Sequence, residues 1–572
     1  MTTELERGEP VAIALADGVG AALVGESGTI ELAPATMFGE IARLEREHAP
    51  RWICWTSEMA RTLVSAGVRP AKCWDIDAVH RLLHGGWRAG PARAWASSHG
   101  LDPNDTPSAA PADLFSISDD DGDPDEAVRT DGHLRPAWID DVWCDGPTQL
   151  RRWAELALDV FRAQTAQVAA LDDRPAAVAT ARSESTAELL CAEMAVGGLP
   201  IDVAEAERII SSFIGARPRD AADELRLAGE RDQLVLRHLP ASLADGVDLR
   251  NPASVKSLLR RAGIEVADTR AWRLEELRAD HAIVDALLTW RKAERICTTF
   301  GYRWIDQHVG ADGRLRGTWS GSDGAAGRMT ATAGLHNMPA DLRPAIVADD
   351  GHVFVRADLG QIEPRILAAV SGDEVLAVAT EDADMYAPVA NRLDVPRDVA
   401  KVAVLGAMYG QTTGHGAAAL RGLELAYPVA MGFLSSAARA AEGGNDLRTR
   451  GGRLVRMTGA VEPDSDPSVQ RSRAASRGRY GRNAMVQGAA AEFFKTWAVI
   501  VRARAAPLGA SVVLCLHDEL LVHAPEAESA AVAGVVDDAL QEAAHRWLAA
   551  APAPAVRFVT ETTVVRRWSD AK

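Results

Sequence analysis

Two acidic segments and one basic, helix-spaced stripe carry the side chains best suited to chemistry in this chain. The first is Ala357-Asp358-Leu359-Gly360-Gln361-Ile362-Glu363-Pro364-Arg365, and the second is Leu516-His517-Asp518-Glu519-Leu520. Phosphoryl transfer uses two divalent cations roughly 4 Å apart, and carboxylates on separate rigid elements can bridge them. Magnesium takes few carboxylates and keeps water and phosphate oxygens, so two aspartates suffice. The third constellation is Arg397, Lys401, Leu405 and Tyr409, one residue in four. On a helix these form a single stripe. Two cations at one end suit a triphosphate, and an apolar residue and an aromatic at the other suit a sugar or base. Taken singly, each piece also fits a turn, a helix cap or an ordinary amphipathic helix.

The elements that must position them are legible around each piece. His352 to Ala357 reads as a strand leading into a helix near 361, which places Asp358 at a strand end. Ser511 to Leu516 and Leu520 to His523 read as two strands around a tight connection, with Asp518 and Glu519 at a hairpin tip. Ala383 to Leu420 reads as helical with a loop at 392–396. Further upstream, Val11–Leu15 and Ala21–Val24 form a hairpin pattern, Arg51–Trp55 a strand and Ser57–Ala66 a capped helix. Leu150–Leu171 and Ser183–Val196 have helical spacing, and Asn251 caps a helix that begins at Pro252. The segment 102–133, with Ser118 to Glu126 as an acidic run, reads as a solvated loop.

The chain has 572 residues, 47% of them hydrophobic, and a mean hydropathy of −0.08. That composition predicts several folded domains and excludes extensive disorder. The net charge of −18, from 80 acidic and 62 basic residues, is unusual for a nucleic-acid binder. Local charge is different. Arg448, Arg450, Arg453, Arg456, Arg471, Arg473, Arg477, Arg479 and Arg482 crowd into one region, a patch suited to phosphate contacts or to a solvated basic loop. Six scattered cysteines without a CxxC pair suggest neither zinc nor redox chemistry. The start lacks signal-peptide character and no run of about 18 apolar residues occurs, so a cytoplasmic protein without a membrane span is expected.

Taken in order, these segments resemble the family A (polymerase I type) DNA polymerases. Asp358, Gln361-Ile362-Glu363 and Arg365 resemble the family's motif A. Arg397, Lys401, Gly406, Tyr409 and Gly410 resemble motif B, and His517-Asp518-Glu519 resembles motif C. Gly327-Arg328-Met329 with Asn337-Met338-Pro339, then Arg479, Asn483, Gln487 and Gly488, and Gly198 to Asp202 resemble further family segments. The resemblance runs from about residue 180 to the C-terminus. It implies a multidomain α/β right-hand polymerase preceded by a ribonuclease H-like exonuclease domain. The expected divisions are 1–170 exonuclease-like, 171–300 connector and thumb, 301–375 first part of the palm, 376–483 fingers and 484–572 second part of the palm.

The resemblance also implies roles. Asp358 and Asp518, with the Leu359 carbonyl, would hold two magnesium ions, manganese being the alternative. Glu519 and Lys401 would join the catalytic set, with Lys401 protonating the leaving group. Arg397, Lys401, Leu405, Tyr409, Glu363 and Gln361 would line the deoxynucleoside triphosphate site, with Glu363 as steric gate against a 2'-hydroxyl. Arg328, Asn337, Arg479, Asn483, Gln487 and His517 would touch primer–template DNA. A monomer associated with the nucleoid is expected. Three departures stand out: Leu405 replaces an aromatic, Gly360 a serine and Pro364 a leucine. The N-terminal region departs further. Ala12 to Ala16 lacks the exonuclease carboxylate pair, Cys54 to Ala60 lacks the second motif's aspartate, and of Glu155 and Asp159 only the latter matches the third motif. Trp74-Asp75-Ile76-Asp77 and the following helix resemble the domain's interior. Polymerisation without proofreading is therefore expected. The alternatives are a catalytically altered relative acting as a DNA-binding repair factor, a non-catalytic scaffold, and a single-subunit RNA polymerase, against which Glu363 argues.

Overall fold

The computed structural model describes residues 5–86, 89–107, 123, 125–139, 144, 146–324, 326–410, 416–457, 466–548 and 554–571. Contacts divide the chain into two compact units. One comprises Met1–Gly197, Thr318–Ala331 and Asp350–Val565, and the other Gly198–Gly317, Thr332–Asp349 and Arg566–Lys572. The acidic run at 118–126 falls largely outside the described residues.

The first unit opens on a five-stranded sheet. Its spatial order is Gly28–Leu32, Gly20–Gly25, Pro10–Ala16, Arg51–Cys54 and Lys72–Asp75. The first three strands form an antiparallel meander, and the last two add in parallel. Strand alternation sends Val11 and Ile13 to one face, into a core with Met37, Ile41, Trp52 and Leu63. Ala12 and Ala14 face the other way, into a core with Trp55, Trp74, Leu150 and Trp153. A sheet covered on both faces has little polar alternation, which is why this segment reads so apolar. The helix Pro147–Ala169 lies on the alanine face, and Trp153 stacks on Trp55 with centroids 4.6 Å apart.

A second, four-stranded sheet in the same unit carries the acidic segments. Its order is Ser511–Cys515, Glu519–Pro525, His352–Leu359, Thr560–Val565, all antiparallel. The expected break at 392–396 is present. The helix Tyr386–Leu393 ends at Asp394 with φ of 52°, and the helix Arg397–Tyr409 begins after Pro396. The helix Pro467–Ala505 has 39 residues, begins at a Pro, and is capped by Asp466, whose carboxylate accepts from Ser468 N. Its arginine-rich first half is largely exposed, and from Gly488 onward it is mostly core.

In the second unit Leu199–Pro200 pairs with Arg314–Leu315. Helices Ala221–Leu236, Pro252–Arg261 and Ala282–Phe300 enclose a cluster around Val235, Leu258, Leu259, Leu287 and Trp290. Asn251 caps as its sequence predicts, accepting from Ala253 N and Ser254 N. Among the described residues no helix is long and apolar enough to cross a membrane.

Candidate active site

Asp358 sits near the end of the strand His352–Leu359, in register with Glu519 on one neighbouring strand and Glu561 on the other. Residues paired across an antiparallel sheet share a face, so three carboxylates meet at one edge. Asp518 adds a fourth: Leu359 N donates to Asp518 O at 2.8 Å, fastening the connection to the strand end. Arg356, two residues before Asp358 and thus on the same face, pairs with Asp358 Oδ2 at 2.6 Å and with Glu519 Oε1 at 3.1 Å. Burial and the neighbouring Asp518 push the Asp358 carboxyl up to about 6, against the opposing pull of Arg356. Burial and then Glu519 raise that of Asp518. The expectation that Asp518 and Glu519 share a hairpin tip holds in part. Glu519 belongs to the strand, is buried, and is held by Arg356.

This excess of negative charge is what a cation would neutralise. Among the described residues no group of three or more His, Cys, Asp or Glu side chains is arranged to hold a metal. Two carboxylates with a backbone carbonyl suit an ion that keeps water and phosphate oxygens, as magnesium does.

The turn from strand to helix is held from beneath. Gln361 adopts φ of 48°, a left-handed conformation uncommon for a residue with Cβ. Arg365, fully buried, donates to the carbonyls of Gly360, Thr380, Arg557, Asp382 and Ala383. The Gln361 side chain accepts from Arg365 at 3.3 Å and from Met385 N at 3.4 Å, so it supports the turn from one wall of the cleft. A Cβ at Gly360 would lie 2.7 Å from Val559 Cγ2, which explains the glycine where the resemblance expects serine.

Glu363, on the first turn of the helix Ile362–Ser371, is clamped from two sides. Arg328 donates to its Oε1 at 2.6 Å and the Tyr409 hydroxyl to its Oε2 at 3.0 Å. Gln487 in turn bonds to Tyr409. Arg328 stands on the hairpin Trp319–Asp323 and Arg328–Ala331, which the buried Lys495 fixes by donating to Gly321 O at 3.1 Å and Gly327 O at 2.8 Å. Gly327 has φ of +65°, and a Cβ there would collide with the Arg453 guanidinium.

These residues line one cavity of about 350 Å³, whose walls include Arg328, Leu359, Gln361, Glu363, Leu405, Tyr409, His517 and Asp518. On the helix Arg397–Tyr409, Arg397 is paired with Asp384 at 2.5 Å and lies over the Tyr386 ring. Lys401 is exposed. The geometry thus joins a carboxylate edge, a clamped glutamate and a cationic helix around one cleft.

Residues 249–570 match the model of DNA polymerase family A. The chain belongs to that family. The thermostable DNA polymerase I of Thermus aquaticus is 28% identical over 377 residues, 61% of this chain and 44% of that protein. The DNA polymerase I of Chloroflexus aurantiacus is 30% identical over 319 residues, 52% and 33% respectively. The chain therefore spans less than half the length of these curated relatives. The POL domain of Pol1 from M. smegmatis, solved in complex with DNA primer-template and dNTP, has the same fold. Its TM-score is 0.67 at 21% identity, covering 99% of this chain and 97% of that one.

Within this family A chain the arginine-rich region, read from the sequence as a patch for phosphate contacts or a solvated basic loop, divides in two. Arg453 is buried and paired with Glu184. Arg448 donates to Gly452 O and Leu83 O, Arg450 to Leu548 O, and Arg477 to Glu442 O. These guanidiniums tie backbone together. Arg471, Arg473 and Arg479 remain exposed on the long helix. Arg479 packs against Gly410, the left-handed cap of the Arg397–Tyr409 helix. Asn483 has a buried Oδ1 with no hydrogen-bond partner. Asn337 lies in the second unit, where its carbonyl accepts from Arg295 at 3.0 Å.

Sequence reasoning missed Arg356, Glu561 and Lys495. The signal for Arg356 was available: it precedes Asp358 by one strand period. Glu561 required the sheet register, and Lys495 required knowing which loop lies over a buried helix face. In the N-terminal sheet, a cavity of about 620 Å³ at the end of the first strand is lined by Leu15, Ala16, Asp17, Trp55, Glu58 and Trp153. Glu155 faces Arg151 and Arg152 instead, and Asp159 lies 3.1 Å from His99 Nε2.

Proposed function

We propose that this chain is a template-directed DNA polymerase, adding deoxynucleotides to a primer 3' end with release of pyrophosphate. The observation that carries the reading is the single cleft in which Asp518, the clamped Glu363 and Tyr409 meet, with Asp358 beside it. The relative solved with primer-template and dNTP supports those partners.

Asp358, Asp518 and the Leu359 carbonyl would hold the divalent ions, magnesium by the chemistry of the donors. Such ions lower the pKa of a bound hydroxyl and neutralise charge on the phosphates. Arg356 holds Asp358 and Glu519 in place. Arg328 and Tyr409 fix the Glu363 carboxylate, so a 2'-hydroxyl would meet a rigid group. Arg397 would exchange Asp384 for the triphosphate, and Lys401, already exposed, would join it and supply the proton to pyrophosphate. Leu405 offers an apolar wall to the sugar. Arg479, Asn483, Gln487 and His517 in the first unit, and Asn337 in the second, would contact DNA. Activity as a monomer, at the nucleoid, fits these substrates.

The domain reading follows the same lines: thumb at about 205–300, fingers at 376–483, and palm from 301–375 with 484–572. The N-terminal 1–170 would be a ribonuclease H-like domain without proofreading. Its sheet order supports the fold, and the lack of a carboxylate pair on the first strand, Ala12 to Ala16, supports the loss of nuclease chemistry. Primer extension with deoxy- and ribonucleotides tests the polymerase reading. A purified chain that binds a primer–template but never extends it with magnesium or manganese would sink it. Shortening of a mismatched primer would sink the claim of absent proofreading.

A further inference from the structure

Away from the polymerase cleft, the first unit contains a cationic pocket of about 500 Å³. Its chemistry-bearing walls are His80, His84, Arg93, Ser97, Asn104 and Arg456. His80 and His84 are one helical turn apart on the helix Ile76–His84, their rings 4.8 Å between centroids. His80 is only 4% exposed, and its Nδ1 has no hydrogen-bond partner. A buried polar atom left unsatisfied costs stability unless something else meets it. Burial holds the His80 imidazole down to about 3, so it is neutral and can offer an N–H. The largest charge effects on the two imidazoles come from His84, Arg93, Arg81, Arg448 and Arg456, with no carboxylate among them. Among the described residues no ion pair joins Arg93 to a carboxylate.

The pocket is also built rather than incidental. Arg456 Nε donates to His84 O, and Arg448 donates to Leu83 O at 2.8 Å, so the strand Leu454–Val455 is fastened to the helix end. Gly85, at φ of +67°, would place a Cβ 2.7 Å from Leu454 O, so no side chain fits between them. That close approach delivers Arg456 to the histidine pair. Guanidiniums without a carboxylate partner, beside a buried donor, suit a phosphate oxygen. The volume lies within the range of small-molecule sites and exceeds what an inorganic ion fills. We propose that this pocket binds the phosphate of a nucleotide-sized ester, separately from the polymerase cleft. The phosphate could be that of a free mononucleotide or of a strand terminus, and the two share this chemistry.

The test is titration calorimetry on the full chain with dAMP, a 5'-phosphorylated single-stranded oligonucleotide and inorganic phosphate. The proteins are wild type, Arg93→Glu, Arg93→Gln, His80→Phe and, as a cleft control, Asp518→Ala. Wild type and Asp518→Ala are expected to bind an ester more tightly than inorganic phosphate. The Arg93 variants are expected to bind it about tenfold or more weakly, the loss typical of one charge-assisted contact. Unchanged circular dichroism and primer extension in the Arg93 variants would show that the fold is intact. Tighter binding of dAMP identifies the free nucleotide, and tighter binding of the oligonucleotide the strand terminus. Absence of binding by both esters, inorganic phosphate binding as tightly as either, or indifference to both Arg93 variants would overturn the proposal.

Discussion

Replacing Asp358 by Asn separates what the site's charge costs the fold from what that charge does. The Asp358 carboxyl lies at about 6 against an ordinary 3.8, because burial and Asp518 outweigh Arg356. Between those values the folded chain binds more protons than the unfolded one, so stability falls as pH rises. The contribution is whole below the unfolded value and is lost as pH passes through about 6. A shift of this size corresponds to at most about 3 kcal/mol at about 1.36 per unit. Because the side chain is 34% exposed, solvent screening reduces this to roughly 1–2 kcal/mol. Asp358→Asn should therefore stabilise the metal-free protein by that amount at about pH 7.5 while abolishing extension. Urea unfolding with chelator present, followed by tryptophan fluorescence, measures it through the transition midpoint. At about pH 5 the gain should shrink, because the wild-type carboxyl is then largely protonated. A variant no more stable than wild type near neutrality, or a gain that does not shrink with acid, would refute the reasoning.

Glu363→Ala removes the group clamped by Arg328 and Tyr409. Ribonucleotide incorporation relative to deoxynucleotide should rise by about tenfold or more, read from single-nucleotide extension kinetics. Lys495→Met leaves the Gly321 and Gly327 carbonyls and one side of Glu184 unpaired in the core. A loss of about 3–5 kcal/mol is expected in denaturant unfolding, and a wild-type midpoint would contradict it. Arg365→Lys cannot reach the five carbonyls that one guanidinium spans. It should lower the thermal midpoint and slow extension together, since the Gln361 turn sets the cleft wall.

Much of the site was legible because its chemistry demands particular residue types at short range. Asp358 stood out at a strand end, Arg397 to Tyr409 fell on one helix stripe, and Asn251 announced a cap. What could not be read depends on register and depth. Glu561 joins the acidic edge only because Thr560–Val565 pairs with His352–Leu359 in one register. Arg453 and Arg471 look alike in sequence, yet one is buried against Glu184 and the other is exposed. Arginine is equally suited to tying backbone and to meeting phosphate, so a cluster of arginines does not say which it does. Gln361, expected against nucleotide, lines the cleft but spends its side-chain oxygen on its own turn.

The most direct test of the account is extension of a matched primer–template by wild type and Asp518→Ala, with magnesium and all four deoxynucleotides. The account predicts extension by wild type and none by the variant, with primer–template binding retained in both. Extension by Asp518→Ala at the wild-type rate would contradict it, because the carboxylate edge would then not be the catalytic centre.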